Sequence, residues 1–155
     1  MEIKLVKATE NDAELIHQMQ VKSFIKLLDK YQDMDTSPAN ESIDKVLWRL
    51  HQDTTYFYLI EFENKYVGAI RIIDSKDGVT AKRISPLFIL PEYQNKGIAQ
   101  KAITEAERIH GATNWNLDTI LQEKGNCYLY EKMGYHTTGK NEKINDKLTL
   151  VFYVK

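Results

Sequence analysis

The chain has 155 residues, 43% apolar and 28% charged, the size and make-up of one globular domain with a sizeable core. Its formal net charge of -1, with Lys and Arg spread along the chain, argues against nucleic-acid or anionic-membrane partners. The single cysteine, Cys127, precludes an internal disulfide, and no apolar run matches a signal core or a bilayer span. A cytoplasmic protein with one domain over residues 1–155 is expected.

In chain order, EIKLVKA (2–8) alternates polar and apolar residues, as a half-buried strand does. Thr9 followed by Asp12 is close to a capping box and opens a helix over 10–28, whose apolar face is Leu15, Ile16, Met19, Phe24, Leu27 and Leu28. DKYQDMDTSPAN (29–40) reads as a loop, and a second helix over 41–51 carries Ile43, Val46, Leu47 and Leu50. TYFYLIEF and YVGAIRII are strand-like runs joined by ENK, a hairpin signal. The turn DSKDGVT (74–80) leads into the strand AKRISPLFIL. A helix over 97–110 follows, with Ile98, Ala102, Ala106 and Ile109 at helical spacing and Gly111 as its stop. NWNLDTIL (114–121) is a strand and NCYLYEKMG a short helix. YHTTG and LTLVFYV are final strands around a polar turn at NEKIND. The order β-α-α-β-β-β-α-β-α-β-β predicts an α/β domain with a mixed sheet and helices on both faces.

Two segments carry chemistry. In FILPEYQNKGIAQKA (88–102) a polar turn containing Gly97 opens a helix. The first turn of a helix leaves N–H groups unpaired and concentrates positive charge, so it can hold a phosphate; Lys96 adds a full charge at the rim. The pattern is neither a Walker loop nor Gly-x-Gly-x-x-Gly, and a lone glycine also serves simple tight turns. Pro86, inside the preceding strand, removes a ladder donor and marks a bulge or an edge.

In GNCYLYEKMGY (125–135), Asn126 is the expected N-cap and Gly134 the expected C-terminal stop, with Tyr135 making the contact that follows it. Leu129 and Met133 would face the core, while Asn126 and Tyr130 share another face. Cys127 has no histidine partner in sequence and reads as a small core residue.

These two segments, LFILPEYQNKGIA (Leu87–Ala99) and LYEKMGY, together with the order of elements, resemble the GCN5-related N-acetyltransferase (GNAT) family over essentially the whole chain. Departures are Gln94 where arginine is common, Asn95 where glycine is common, and Ala99 for the last glycine. Each leaves the backbone donors in place. The resemblance implies a single-domain GNAT fold, a mixed, mostly antiparallel sheet of about seven strands splayed near the cofactor cleft. It implies acetyl-CoA as co-substrate, and no metal. Gln94, the amides of Asn95, Lys96, Gly97, Ile98 and Ala99, and Gln100 would hold the pyrophosphate. Leu87, Phe88 and Ile89 would offer backbone groups to the pantetheine arm. Tyr130 would protonate the coenzyme A sulfur, a task suited to a phenol of pKa about 10. Asn126 would be a further contact, although many relatives have an asparagine where this chain has Glu123.

On the same resemblance, a neutral primary amine attacks the thioester directly, with N–H groups near Ile89 facing the developing oxyanion. Glu61, Asp118 and Glu123 are the carboxylates considered as bases. Five acids between Asp29 and Asp44 (Asp29, Asp33, Asp35, Glu41, Asp44) suggest a small cationic acceptor such as a polyamine, and equally suit a solvated surface. Phe24, Tyr31 and Trp48 are aromatic candidates for a pocket or for the core. The competing functions are acetylation of a protein N-terminus or lysine, and a non-catalytic CoA-binding sensor. A homodimer fits the habit of relatives.

Overall fold

The computed structural model describes residues 2–155. Along the chain it forms β1 (Ile3–Lys7), α1 (Ala13–Tyr31), α2 (Ile43–Leu50), β2 (Thr55–Phe62), β3 (Lys65–Ile73) and β4 (Lys82–Ile89). It continues as α3 (Ile98–His110), β5 (Trp115–Ile120), α4 (Lys124–Lys132), β6 (His136–Lys143) and β7 (Thr149–Val154). Short 3-10 turns occupy Glu10–Asp12, Pro38–Asn40 and Pro91–Tyr93. The expected order of strands and helices is observed in full.

The strands form one seven-stranded sheet in the order β1-β2-β3-β4-β5-β7-β6. Every neighbouring pair is antiparallel except β4 and β5. That parallel pair is held at only two positions, Lys82↔Trp115 and Arg83↔Asn116. Past Arg83 the two strands diverge, so the sheet is splayed where the sequence predicts it.

Side chains alternate along a strand, and β2 uses this to build two cores. Phe57 and Leu59 pack with Ala69, Phe88, Ala13, Ile16 and Met19 of α1, and Val46 of α2. Tyr58 and Ile60 belong to the other core, with Ile98, Ala102, Ile103 and Ala106 of α3 and with Tyr130 of α4. Helices therefore cover both faces. Ile109, expected on the buried stripe of α3, is exposed in its last turn, and Ile103 is buried instead.

Boundaries differ from expectation in informative places. The helix α1 runs on to Tyr31, which is buried, and stops where Gln32 takes the left-handed conformation (φ 56°). Asp12 accepts the Thr9 N–H at 2.9 Å, as its capping role requires. The hairpin after β2 is the two-residue turn Glu63–Asn64, both at positive φ, which matches the strand twist. Strand β6 continues to Lys143 because Gly139 (φ 87°) absorbs a register shift between Thr137 and Asn141. No helix among the described residues is long and apolar enough to cross a membrane.

The proline of β4 does mark a bulge. Ile70 faces Leu87 and Ile72 faces Ile84, so Ser85 and Pro86 together oppose Arg71. The buried Arg71 guanidinium fills this irregularity, donating to the Ser85 carbonyl (2.7 Å), Gln52 Oε1 (2.9 Å) and Thr55 Oγ1 (3.3 Å). Burial, and then the charge of Arg49, pull its pKa down to about 10. Arg71 is a brace that the sequence reading missed.

Candidate active site

The divergence of β4 from β5 opens a cleft of about 960 Å³. One side is β4 from Ile84 to Ile89, the start of α3, and α4; the other is α1, the loop after it, and Arg49 of α2.

The turn from β4 into α3 is built to leave main-chain donors free. Leu90 N–H is taken by the Val67 carbonyl (2.8 Å) and Tyr93 N–H by Leu90 (2.9 Å). The chain then passes through Asn95 (φ 62°) and Gly97 (φ 79°), and the first helical bond runs from Lys101 N–H to Gly97 (3.2 Å). In between, the N–H groups of Asn95, Lys96, Gly97, Ile98, Ala99 and Gln100 find no acceptor among the described residues. Such a row at a helix start fits an anionic diphosphate. Of the residues assigned to this role, Gln94, Asn95, Gly97, Ile98, Ala99 and Gln100 line the cleft, as do Leu87, Phe88 and Ile89 of β4. Lys96 is exposed and does not line it. The Gln94 side chain donates to the Ile89 carbonyl at 2.9 Å, so it ties the turn to β4.

Sequence reading also missed Gly68. A Cβ there would sit 2.2 Å from the Phe88 carbonyl oxygen, so only glycine lets β3 lie this close to the wall of the cleft. A glycine inside a strand was the available signal.

Tyr130 lies on α4 with 9% of its surface exposed, and it lines the cleft. The helix ends in a paired cap, Tyr135 N–H to the Tyr130 carbonyl (2.9 Å) and Gly134 N–H to Glu131 (3.1 Å). The Tyr130 and Tyr135 rings meet edge-on at 5.9 Å. Its hydroxyl has no hydrogen-bond partner among the described residues. Burial, then the charges of Asp118 and Cys127, push its pKa well above the ordinary value, so it remains a proton donor. Asn126 also lines the cleft, but it is not the N-cap. The N-cap is Glu123, three residues earlier, with α4 starting at Lys124, and the Glu123 carbonyl accepts from Asn126 (3.1 Å) and Cys127 (3.2 Å). Cys127 is buried, as a core residue should be.

The acid-rich segment behaves differently from expectation. Of its five acids, only Asp33 and Glu41 line the cleft. Asp33 is occupied by Thr36, through the backbone N–H (3.0 Å) and the hydroxyl. Glu41 takes two parallel bonds from Arg49 (2.7 and 2.8 Å) and one from the buried Gln20 (2.9 Å). The cleft's other carboxylates come from elsewhere: Asp118, bonded to Arg83, and Glu123, bonded to Lys30 (2.9 Å) and Tyr31. Glu61 does not line it. Lys22, Lys26 and Lys30 face it from α1 at four-residue spacing. Phe24 lines the cleft with its ring edge-on to Phe88 at 5.9 Å. Trp48 does not; it is 56% exposed beneath Lys45.

The family model for the acetyltransferase (GNAT) domain matches residues 28–155, most of the chain and all of the cofactor side of the cleft. The chain belongs to the GNAT family. Solved structures support the same fold for this GNAT domain at low identity. A spermidine N-acetyltransferase from Vibrio cholerae, in complex with CoA and spermine, superposes with a TM-score of 0.76 at 18% identity, covering 97% of this chain and 93% of that one. An acetyltransferase from Thermus thermophilus gives 0.73 at 16% identity over 100% and 97%. The PaiA N-acetyltransferase from Thermoplasma acidophilum, in complex with coenzyme A, gives 0.73 at 18% identity over 98% of each chain. Among curated proteins no sequence matches. The GNAT protein is thus an N-acetyltransferase by family, with its acceptor left to the chemistry of its own cleft.

Proposed function

We propose that this GNAT protein transfers an acetyl group from acetyl-CoA to the primary amine of a small cationic molecule, a polyamine being the first class to test. The observation that carries the reading is one continuous cleft. It joins a row of unpaired amides and the Tyr130 hydroxyl to a lobe holding Asp33, Glu41, Asp118 and Glu123. Structural neighbours crystallised with CoA, and one with spermine, support it.

When bound, acetyl-CoA supplies a reactive acetyl thioester. The amides of residues 95–100 and the positive end of α3 would hold its pyrophosphate, and the edge of β4 beyond Arg83, unpaired with β5, would take the pantetheine arm. These contacts would orient the thioester and so supply rate through positioning. Tyr130 keeps its proton on Oη until a thiolate develops, because burial disfavours the phenolate. Among the cleft's carboxylates, Asp118 and Glu123 each keep one oxygen without a donor among the described residues, which would accept a hydrogen bond from an ammonium ion.

An amine panel tests this by free-CoA release: spermidine, spermine, 1,4-diaminobutane, butylamine and a lysine-bearing peptide. Turnover with the small amines and not the peptide is expected. Turnover with the peptide alone would replace the reading with protein acetylation. Tight acetyl-CoA binding with no turnover on any amine would make the protein a sensor.

A further inference from the structure

The carboxylates of the acceptor lobe are not equivalent. Glu41 has both oxygens committed to Arg49, and Asp33 has both committed to Thr36. Asp118 has no donor on Oδ1 among the described residues, but a guanidinium, Arg83, neutralises it through Oδ2. Glu123 differs from all three. Its Oε2 receives both the Tyr31 hydroxyl and the Lys30 ammonium, while Oε1 has no donor among the described residues. Of its two partners, Tyr31 is neutral and Lys30 is 61% exposed, so solvent screens the one opposing charge. Glu123 thus combines a free oxygen with a screened countercharge, whereas Glu41 and Asp118 face guanidinium groups and both oxygens of Asp33 are filled by Thr36.

The position is also rigid. The Glu123 carbonyl caps α4, and its side chain, 24% exposed, reaches across to the end of α1. Tyr31 is buried, and its own carbonyl is held by Asn145 Nδ2 at 3.0 Å. Glu123 lines the same cleft as Tyr130 and stands seven positions before it, at the start of the same helix, α4. We infer that Glu123 docks the acceptor's ammonium group through Oε1, with Tyr31 as the positioning residue that aims the carboxylate. The inference rests on the acetyltransferase reading and names the acceptor's docking point: a primary ammonium, recognised by a charged hydrogen bond. Glu123 is a dock more than a proton sink. Burial alone would raise its pKa, but the hydrogen bonds from Tyr31 and Lys30 outweigh this and hold it below the usual carboxylate range. The ammonium proton leaves by solvent.

The test uses the full chain with acetyl-CoA, its glutamates labelled at the side-chain carboxyl carbon and followed by NMR. The Glu123 signal is assigned by its loss in Glu123→Gln, or by its displacement in Tyr31→Phe should the first variant fold poorly. Butylamine should shift that signal saturably, and butanol should leave it in place. With an amine that the panel shows to release CoA, Glu123→Gln should raise KM about tenfold while kcat changes less than about threefold. Tyr31→Phe should raise KM by a smaller factor. A Glu123 signal indifferent to butylamine, or an unchanged KM in Glu123→Gln, overturns the inference. A saturable shift without CoA release from any amine supports the dock and sinks the transfer reading. CoA release with an unmoved Glu123 signal does the reverse.

Discussion

The two sides of the cleft are made of different material. On the α3 side, the groups left for a ligand are main-chain amides from six consecutive residues, Asn95 to Gln100. Between α1 and the start of α4 they are side chains, and the contacts that aim them join distant parts of the chain: Tyr31 and Lys30 meet Glu123 across 92 and 93 positions. A backbone-built site depends on local conformation, which a short motif can specify. A side-chain-built site depends on which residues the whole fold brings together.

That contrast predicts where substitutions do most damage. Gly97→Glu should be the most severe, because it places an L-residue at φ 79° and a carboxylate where a diphosphate would rest. Acetyl-CoA affinity, measured by calorimetry, should fall at least about 100-fold. Wild-type affinity would show that the amide row is not the cofactor side at all. Tyr130→Phe should lower kcat about 100-fold while acetyl-CoA affinity and thermal stability stay near wild type, since the hydroxyl anchors nothing in the folded protein. An unchanged kcat would remove Tyr130 from the proton-donor role.

The same contrast explains what the sequence made legible. The turn after Leu90 was readable because Pro91, Asn95 and Gly97 act on their own φ angles. The bulge at Pro86 was readable because proline lacks the ladder N–H. The lobe facing α1 was misread because charge composition does not reveal pairing. Five acids between residues 29 and 44 suggested an acidic rim, yet Glu41 is held by Arg49 and both oxygens of Asp33 by Thr36, and Glu123, whose Oε1 has no donor among the described residues, lies outside the segment. Asn126 was misplaced as a cap for a related reason. Helix starts shift with tertiary context, here by three residues, and the Glu123 carbonyl accepts the first helical bonds.

Arg71 lies behind the bulge and touches neither set of ligand-facing groups, so it tests whether the splay itself needs support. Arg71→Ala leaves the part-buried Ser85 carbonyl and Gln52 side chain without their donor and empties a buried position, and should cost about 2–3 kcal/mol in chemical denaturation. Acetyl-CoA affinity should fall with it if the bulge shapes the pantetheine wall. Asp74 supplies the matching control outside the cleft. His110 Nδ1 lies 2.8 Å from Asp74 Oδ2, and its Nε2 lies 2.8 Å from the Tyr58 hydroxyl. Burial alone would raise the Asp74 pKa, but the His110 and Lys76 N–H hydrogen bonds hold it below its ordinary 3.8. A depressed carboxylate contributes stability that is complete above pH 3.8 and is lost as pH falls through the lower folded value. Asp74→Asn should flatten that acid limb by about 1 kcal/mol and leave both ligand affinities unchanged.

The smallest effect concerns the lysine row. Lys22 and Lys26 face the cleft from α1, and their ammonium groups make no ion pair among the described residues, unlike Lys30. They line the same cleft as the four carboxylates, so its charge is mixed in sign. A polyamine docked at Glu123 would extend its remaining charges past them, whereas butylamine would not. Lys22→Glu combined with Lys26→Glu should therefore lower KM for spermidine about threefold and hardly alter it for butylamine. The advantage should shrink as salt rises from about 0.05 to 0.5 M, because both side chains are solvent-exposed and screening acts fully on them. Equal effects on the two amines would mean that the row acts on the dock, and that the lobe recognises charge as a whole and not one ammonium at Glu123.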